Sequence, residues 1–180
     1  MRVPDLGLLG LLALACYAIH AGYYASIHEW DGALWACHVS CVAIGAGCLL
    51  RSADLVAVGL SLLAVGVPLW MLDLATGGPL YPTSLLTHVG GVAIGAVALR
   101  ALGGWPRGTW WKTALLMMSL CVVSKHVTRP ERNINLVFRV QPGWEKWFPS
   151  FFVYFILVAV VSMMTYWAAE RAARSLTRSR

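Results

Sequence analysis

The stretch LVAVGLSLLAVGVPLWMLDLAT, residues 55–76, decides the fold class because it is long, apolar and almost free of charge. Its one ionisable side chain is Asp73, close to its end. A helix needs about 20 consecutive apolar residues to cross the hydrocarbon core of a bilayer. Residues 55–76 are therefore typical of a transmembrane helix.

Five further runs of the same character lie on either side of it. The six predicted membrane helices are Leu6–Ile27, Gly32–Leu50, Leu55–Thr76, Ser84–Leu102, Thr109–Val127 and Trp147–Ala168. Turn-forming residues such as Gly77-Gly78-Pro79 separate the runs. All connections are short except Arg129–Lys146, so we expect consecutive helices to be antiparallel neighbours.

The composition supports the same class. Of the 180 residues, 59% are apolar and 12% are charged, whereas soluble domains have about 45–50% and ~25%. This excludes a soluble globular domain and a disordered chain. We predict an all-α, polytopic membrane helix bundle that forms a single domain over residues 1–180. The net charge of +6 is distributed over loops and predicts no nucleic-acid partner.

The distribution of Lys and Arg predicts the orientation. If the N-terminus is cytoplasmic, the cytoplasmic side receives Arg2, Arg51, Arg100, Arg107, Lys112, Arg171, Arg174, Arg178 and Arg180. The opposite side receives basic residues only in its one long loop: Lys125, Arg129, Arg132, Arg139 and Lys146. We therefore expect a multi-pass protein of the cell membrane with both termini in the cytoplasm. The first run is too long for a signal peptide and is interpreted as a retained helix.

Polar residues of the predicted helices fall at one depth, in the half of the membrane away from the termini. They are His20, Cys37, His38, Asp73, His88 and His126. An ionisable group at the bilayer centre costs about 2.5–3.5 kcal/mol, so such groups usually face a polar cavity or each other. The layer predicts a polar pocket, while small residues such as Gly45 and Gly95 favour close packing in the other half. His28, Glu29 and Asp31 are expected at the surface.

Cys37 is the candidate nucleophile because a thiol becomes reactive once a partner takes its proton. His38 follows it directly, and adjacent helical residues point about 100° apart, so the two cannot easily pair. His88 is then the best base by depth. Cys41 lies one turn further along the same face and is a possible second thiol.

Four ordered motifs carry a resemblance: Ala36-Cys37-His38-Val39, Gly66-Val67-Pro68-Leu69, Leu86-Thr87-His88-Val89 and Asn133-Ile134-Asn135-Leu136. From Leu34 to Trp147 the chain resembles the transmembrane protein 164 acyltransferases and the bacterial YwaF-like membrane proteins grouped with them. The resemblance implies a Cys-dependent transfer of fatty acyl chains between phospholipids and lysophospholipids. It matches Cys37 to the nucleophile, His38 and His88 to recurrent histidines, and Asn133 and Asn135 to an Asn-x-Asn element. A gap separates His126 from the family's histidine in the fifth helix.

The resulting hypothesis is a catalytic set of Cys37, His88 and His38 that needs no cofactor and no metal. Its substrates, and its surroundings, are membrane phospholipids. Substrate contacts are predicted at Asn133 and Asn135 as amide donors, at Arg129, Arg132 and Arg139 as phosphate ligands, and at His126.

Three alternatives remain open at this stage. Water as the acceptor would make the same site a lipase. Intramembrane histidines from His20, His38, His88 and His126 could instead hold a haem or a metal ion. A small transporter ranks last because the chain has no visible repeat and its polar layer lies off the midplane.

Overall fold

The computed structural model describes residues 4–178, with side chains up to residue 175, and this range is helical with no strand. Six α-helices follow one another in the chain: α1 (Leu6–Ser26), α2 (Ala36–Leu49), α3 (Ala53–Ala75), α4 (Gly91–Ala101), α5 (Thr109–Val127) and α6 (Phe151–Arg178). A π-helical turn, Leu86–Gly90, leads into α4. The predicted all-α bundle of six helices is confirmed.

Three of the helices are long and apolar enough to cross a membrane: Leu6–Ser26, Ala53–Ala75 and Phe151–Ser175. Ala36–Leu49 and Leu86–Ala101 are shorter apolar helices. These properties support association with a membrane. The predicted orientation is untested, and Arg2 and Arg180, which contribute to it, lie outside the described residues.

Two predicted boundaries are wrong. The second helix begins at Ala36 instead of Gly32, because Trp30–Leu34 forms a separate 3₁₀ turn. The last helix begins at Phe151 instead of Trp147 and continues to Arg178, well past Ala168. Charged residues do not by themselves stop a helix, and the Ala, Glu and Arg residues that follow Ala168 are among the strongest helix formers.

Capping side chains set several helix starts. The carboxylate of Asp5 accepts hydrogen bonds from the first backbone N–H groups of α1, and Ser52 does the same for α3. The first turn of α5 is capped from a distance, because Glu170 on α6 accepts from the backbone N–H of Gly108 at 2.9 Å and of Trp110 at 3.1 Å. This interaction fixes α6 against α5.

Most consecutive helices pack together as predicted, but α5 packs mainly against α3 and α6 and has little contact with α4. The bundle has two distinct ends. At the loop-rich end, where α1, α3 and α5 finish, the connections 27–35, 76–85 and 128–150 lie together. At the packed end lies an apolar core of Ala13, Ile44, Cys48, Val56, Ala57, Leu63, Ala98 and Leu99.

Candidate active site

Three of the predicted residues meet at the loop-rich end of the bundle. Cys37 and His38 lie in the first turn of α2, and His88 lies in the π-helical turn before α4. The Cys37 sulfur and one ring nitrogen of each histidine lie within 4.8 Å of one another. Both histidines are buried and Cys37 is half-buried. We call these three residues the Cys/His cluster.

The His88 ring is held in one orientation by its surroundings. Its Nδ1 lies 2.8 Å from the carbonyl oxygen of Ser84, and the ring stacks on Trp70 with centroids 4.4 Å apart. A carbonyl only accepts, so Nδ1 carries the proton and the neutral ring has its lone pair on Nε2. Nε2 is buried and has no hydrogen-bond partner among the described residues. His88 therefore carries an unused basic nitrogen inside the bundle.

His38 belongs to a chain of hydrogen bonds that includes His20. Its Nδ1 lies 2.9 Å from the carbonyl oxygen of Gly32, and its Nε2 lies 3.1 Å from Nε2 of His20. Nδ1 of His20 lies 2.7 Å from the Thr83 hydroxyl. With neutral rings only one assignment satisfies every contact: Thr83 donates to His20, His20 donates to His38, and His38 donates to Gly32. These hydrogen bonds hold both rings in place and connect α1, α2 and the 76–85 connection.

Gly66 on α3 makes room for Cys37. A methyl group at this position would overlap Cys37 Cβ, so only glycine lets α3 approach the start of α2 this closely.

Asn135 supports the cluster from outside. Its side-chain oxygen accepts from the backbone N–H of Ala36 at 2.9 Å, and its amide donates to the Leu34 carbonyl and the Ser124 hydroxyl, both at 2.9 Å. Both amide hydrogens are thus used within the protein, and the bonds hold the two residues just before Cys37. A role as donor to substrate stays a prediction, and Asn135 would have to release one of these bonds.

Asn133 has a comparable role within its own loop. Its oxygen accepts from the backbone N–H groups of Phe138 and Arg139, and its amide donates to the Arg139 carbonyl. Both asparagines have positive φ, 47° for Asn133 and 54° for Asn135, a conformation that asparagine tolerates better than most residues. Asn133 shapes the turn and has no described contact with the cluster.

Arg129 and Arg132 bind acidic side chains of the 27–35 connection. Arg129 donates to both carboxylate oxygens of the fully buried Asp31, and Arg132 pairs with Glu29. Burial opposes ionisation of Asp31, but the hydrogen bonds and charge of Arg129, aided by Arg132, hold its pKa below the usual value of 3.8. The predicted phosphate ligands thus have protein partners, and these ion pairs close the loop-rich end next to the cluster.

His126 and Asp73 do not join the cluster. His126 is exposed on α5 and lines an open groove beside α6, while Asp73 is exposed in the last turn of α3. The predicted polar layer therefore splits into a buried centre and two outlying residues. Depth alone could not separate these groups, because it ignores which face of each helix is turned inward.

Four residues at the site were not predicted to belong to it. Trp70 stacks on His88, Tyr24 lies at 4.8 Å from the ring of His20, and Thr83 donates to His20. Asp31 was expected at the surface but is fully buried. One sequence signal could have indicated the burial of Asp31. The 128–150 connection contains several arginines, and an arginine that becomes buried needs an acidic partner.

No protein-family model matches the chain, and no match is found among curated proteins or solved structures. The resemblance to the transmembrane protein 164 acyltransferases stays a prediction.

Proposed function

We propose that the chain is a membrane-embedded acyltransferase, which moves a fatty acyl chain from a phospholipid to a lysophospholipid through a thioester on Cys37. The observation that carries the proposal is the free Nε2 of the buried His88, in a cluster with the Cys37 thiol. A positioned base next to a nucleophile is the requirement for covalent acyl transfer.

In the first half-reaction the Cys37 sulfur attacks the carbonyl carbon of a phospholipid ester. His88 Nε2 takes the thiol proton, the bond from carbon to the glycerol oxygen breaks, and His88 returns the proton to that oxygen. The products are a thioester and a lysophospholipid. The second half-reaction reverses these steps with a different lysophospholipid hydroxyl, which restores the thiol.

The start of α2 favours the negative charge that this reaction develops. Cys37 lies in the first turn of α2, where the helix dipole is positive. The first-turn N–H groups on either side already have acceptors: Ala36 donates to Asn135, and His38 and Val39 donate to the Trp35 carbonyl. The oxygen of the attacked carbonyl would therefore form its oxyanion beside the backbone N–H of Cys37. Both ring nitrogens of His38 are already hydrogen-bonded, so it would restrain the protonated His88 only through their edge-to-face ring contact, with centroids 5.4 Å apart.

The test uses full-length protein purified in detergent and supplied with a phosphatidylcholine and a lysophospholipid. We expect a hydroxylamine-sensitive fatty acyl adduct on Cys37 by mass spectrometry. Cys37→Ser should abolish the adduct and the transfer, and His88→Gln should lower the transfer rate by about 10²–10⁴-fold, the usual contribution of a general base. The matched control is Cys41→Ser, one turn further along α2, whose buried thiol donates to the Thr87 carbonyl and should be dispensable. Full activity in a folded Cys37→Ser variant would refute the proposal.

A second candidate, a metal centre at the same residues, has one specific observation in its favour. Both histidines of the cluster direct Nδ1 at a backbone carbonyl, which is how proteins commonly orient metal-binding imidazoles. One thiolate and two imidazoles would leave a fourth tetrahedral position open on zinc. As placed, Nε2 of His38 accepts a hydrogen bond from His20 at 3.1 Å, so His38 would have to give up this bond to bind an ion.

The same protein sample separates the two candidates. One equivalent of metal, or a haem absorption band, that disappears in both Cys37→Ser and His88→Gln would favour the cofactor site. A colourless sample without stoichiometric metal that carries the acyl adduct would favour the transferase.

A further inference from the structure

A groove runs along the contact between α5 and α6, apart from the Cys/His cluster. Its upper part, at the loop-rich end, has a volume of about 290 Å³ and is wide open to the outside. A narrower cavity continues it towards the packed end and shares Met118, Cys121 and Phe155 with it. We call the two together the α5/α6 groove.

The lining residues form one continuous face on each helix. On α5, Ala114, Met118, Cys121 and Lys125 recur at intervals of three or four residues, the spacing of a single helix face. From Ala114 to Lys125 the helix rises about 17 Å. One leaflet accounts for about half of a hydrocarbon core of ~30 Å, so the groove has the length of one acyl chain.

The two ends of the groove differ in chemistry. Apart from Asn135, Ser162 and Tyr166, the side chains in its deeper part are apolar. Its mouth holds Lys125 and His126. The Lys125 ammonium lies 3.3 Å from the Val137 carbonyl and 4.4 Å from the Phe138 ring centroid, and none of the described ion pairs includes it. One of its three donors is used, so two remain for an anion.

We propose that the α5/α6 groove binds one phospholipid, with an acyl chain between α5 and α6 and the phosphate at Lys125 and His126. The charge at the mouth and the apolar depth match the two parts of this one molecule. The site lies apart from Cys37, so the inference goes beyond the proposed acyl transfer and does not depend on it. Asn135 borders the inner cavity and also holds the backbone just before Cys37, so an occupied groove would contact the support of the cluster.

The test uses the full chain in nanodiscs of phosphatidylcholine doped with a phosphatidylcholine that carries a diazirine in one acyl chain. After illumination, we expect the label to concentrate in peptides that contain residues 114–126 and 151–166. The Cys37→Ser protein should label equally, which separates this site from the acyl transfer. Label spread evenly over the outward faces of α1, α3 and α6 would mean ordinary lipid contact and would overturn the proposal.

Two pairs of variants test the two halves of the site. Ala159→Phe fills the groove, whereas Val160→Phe adds the same ring at the next, outward-facing position. Lys125→Gln removes the cation at the mouth, whereas Lys146→Gln removes one elsewhere in the long connection. We expect the first member of each pair to reduce groove labelling by about tenfold. This is the change in binding that follows from losing one charge-assisted hydrogen bond or from blocking the site of the acyl chain. Equal labelling within both pairs would refute the site, as would a dimer in the native mass spectrum that Ala159→Phe dissociates and Val160→Phe does not.

Discussion

The two ends of the bundle are held together by different forces. At the packed end, small residues bring helices together: Gly45 lies against Leu14, Gly47 against Val56 and Gly59 against Ile44. At the loop-rich end, hydrogen bonds and ion pairs join segments far apart in the chain, such as Arg129 with Asp31 and Asn135 with Ala36. Close van der Waals packing makes the packed end rigid. At the loop-rich end, directional hydrogen bonds and ion pairs hold the Cys/His cluster in a defined geometry.

The largest effect is expected from Asp31→Asn at the loop-rich end. The substitution removes the charge that Arg129 and Arg132 share while it keeps the size of the side chain. We expect the largest loss of stability among these variants, because Arg129 loses its charged partner and the new amide can accept at only one of the two buried positions that the guanidinium groups contact. Thermal unfolding in detergent measures the loss, and limited proteolysis should show faster cleavage of the 128–150 connection.

The pH dependence provides a control for this variant. Because the folded-state pKa of Asp31 lies below its usual value of 3.8, its contribution is complete above about pH 5 and is lost as the pH falls through the lowered pKa. The wild-type protein should therefore lose more stability than Asp31→Asn between about pH 5 and pH 2. Parallel curves for the two proteins would show that Asp31 does not stabilise the fold through its charge.

A smaller effect is expected from Asn135→Gly. Glycine adopts the positive φ of this position without strain, so the variant removes only the three side-chain hydrogen bonds. Leaving their partners unpaired should cost on the order of 2 kcal/mol. Since two of those partners flank the start of α2, alkylation of Cys37 by a thiol reagent should also become faster.

The alkylation rate distinguishes a local from a general effect. If Asn135→Gly lowered the unfolding temperature but left the alkylation of Cys37 unchanged, Asn135 would stabilise the loop without positioning the cluster.

The smallest effect is expected from Gly59→Ala at the packed end. The added methyl carbon would lie 2.6 Å from Ile44 Cγ1 and 2.7 Å from the Ser40 carbonyl oxygen, so α2 and α3 must separate slightly. Overpacking of this kind typically costs about 1–3 kcal/mol, and the better helix propensity of alanine offsets up to ~1 kcal/mol of it. Thermal unfolding should show a net loss of about 1 kcal/mol.

Gly22→Ala on α1 is the matched control, because nothing lies within 4 Å of the added carbon. Here the helix propensity acts alone, and stability should be unchanged or higher by up to ~1 kcal/mol. A similar change in both variants would mean that the contact of α2 with α3 is looser than the packing implies.

Much of the fold could be predicted because hydrophobicity and turn residues act locally. The limits of α1, α3 and α5 agree with the predicted runs to within about two residues, the usual uncertainty of helix ends. The start of α2 could not be predicted in this way. The residues before it are apolar enough to continue a helix, but Asp31 and Gly32 are buried by partners from other segments.

By itself, the sequence determined the fold class, the number of helices and the residue types of the cluster, since these depend on composition and on spacing along one helix. Only the tertiary structure decided that Cys37, His38 and His88 meet, that His126 stands apart, and that Asp31 is buried. It also assigned the asparagines to holding backbone in place. The physical reason is that burial and hydrogen bonding depend on contacts between two parts of the protein. These parts are up to about a hundred positions apart in the sequence, as Asp31 and Arg129 are.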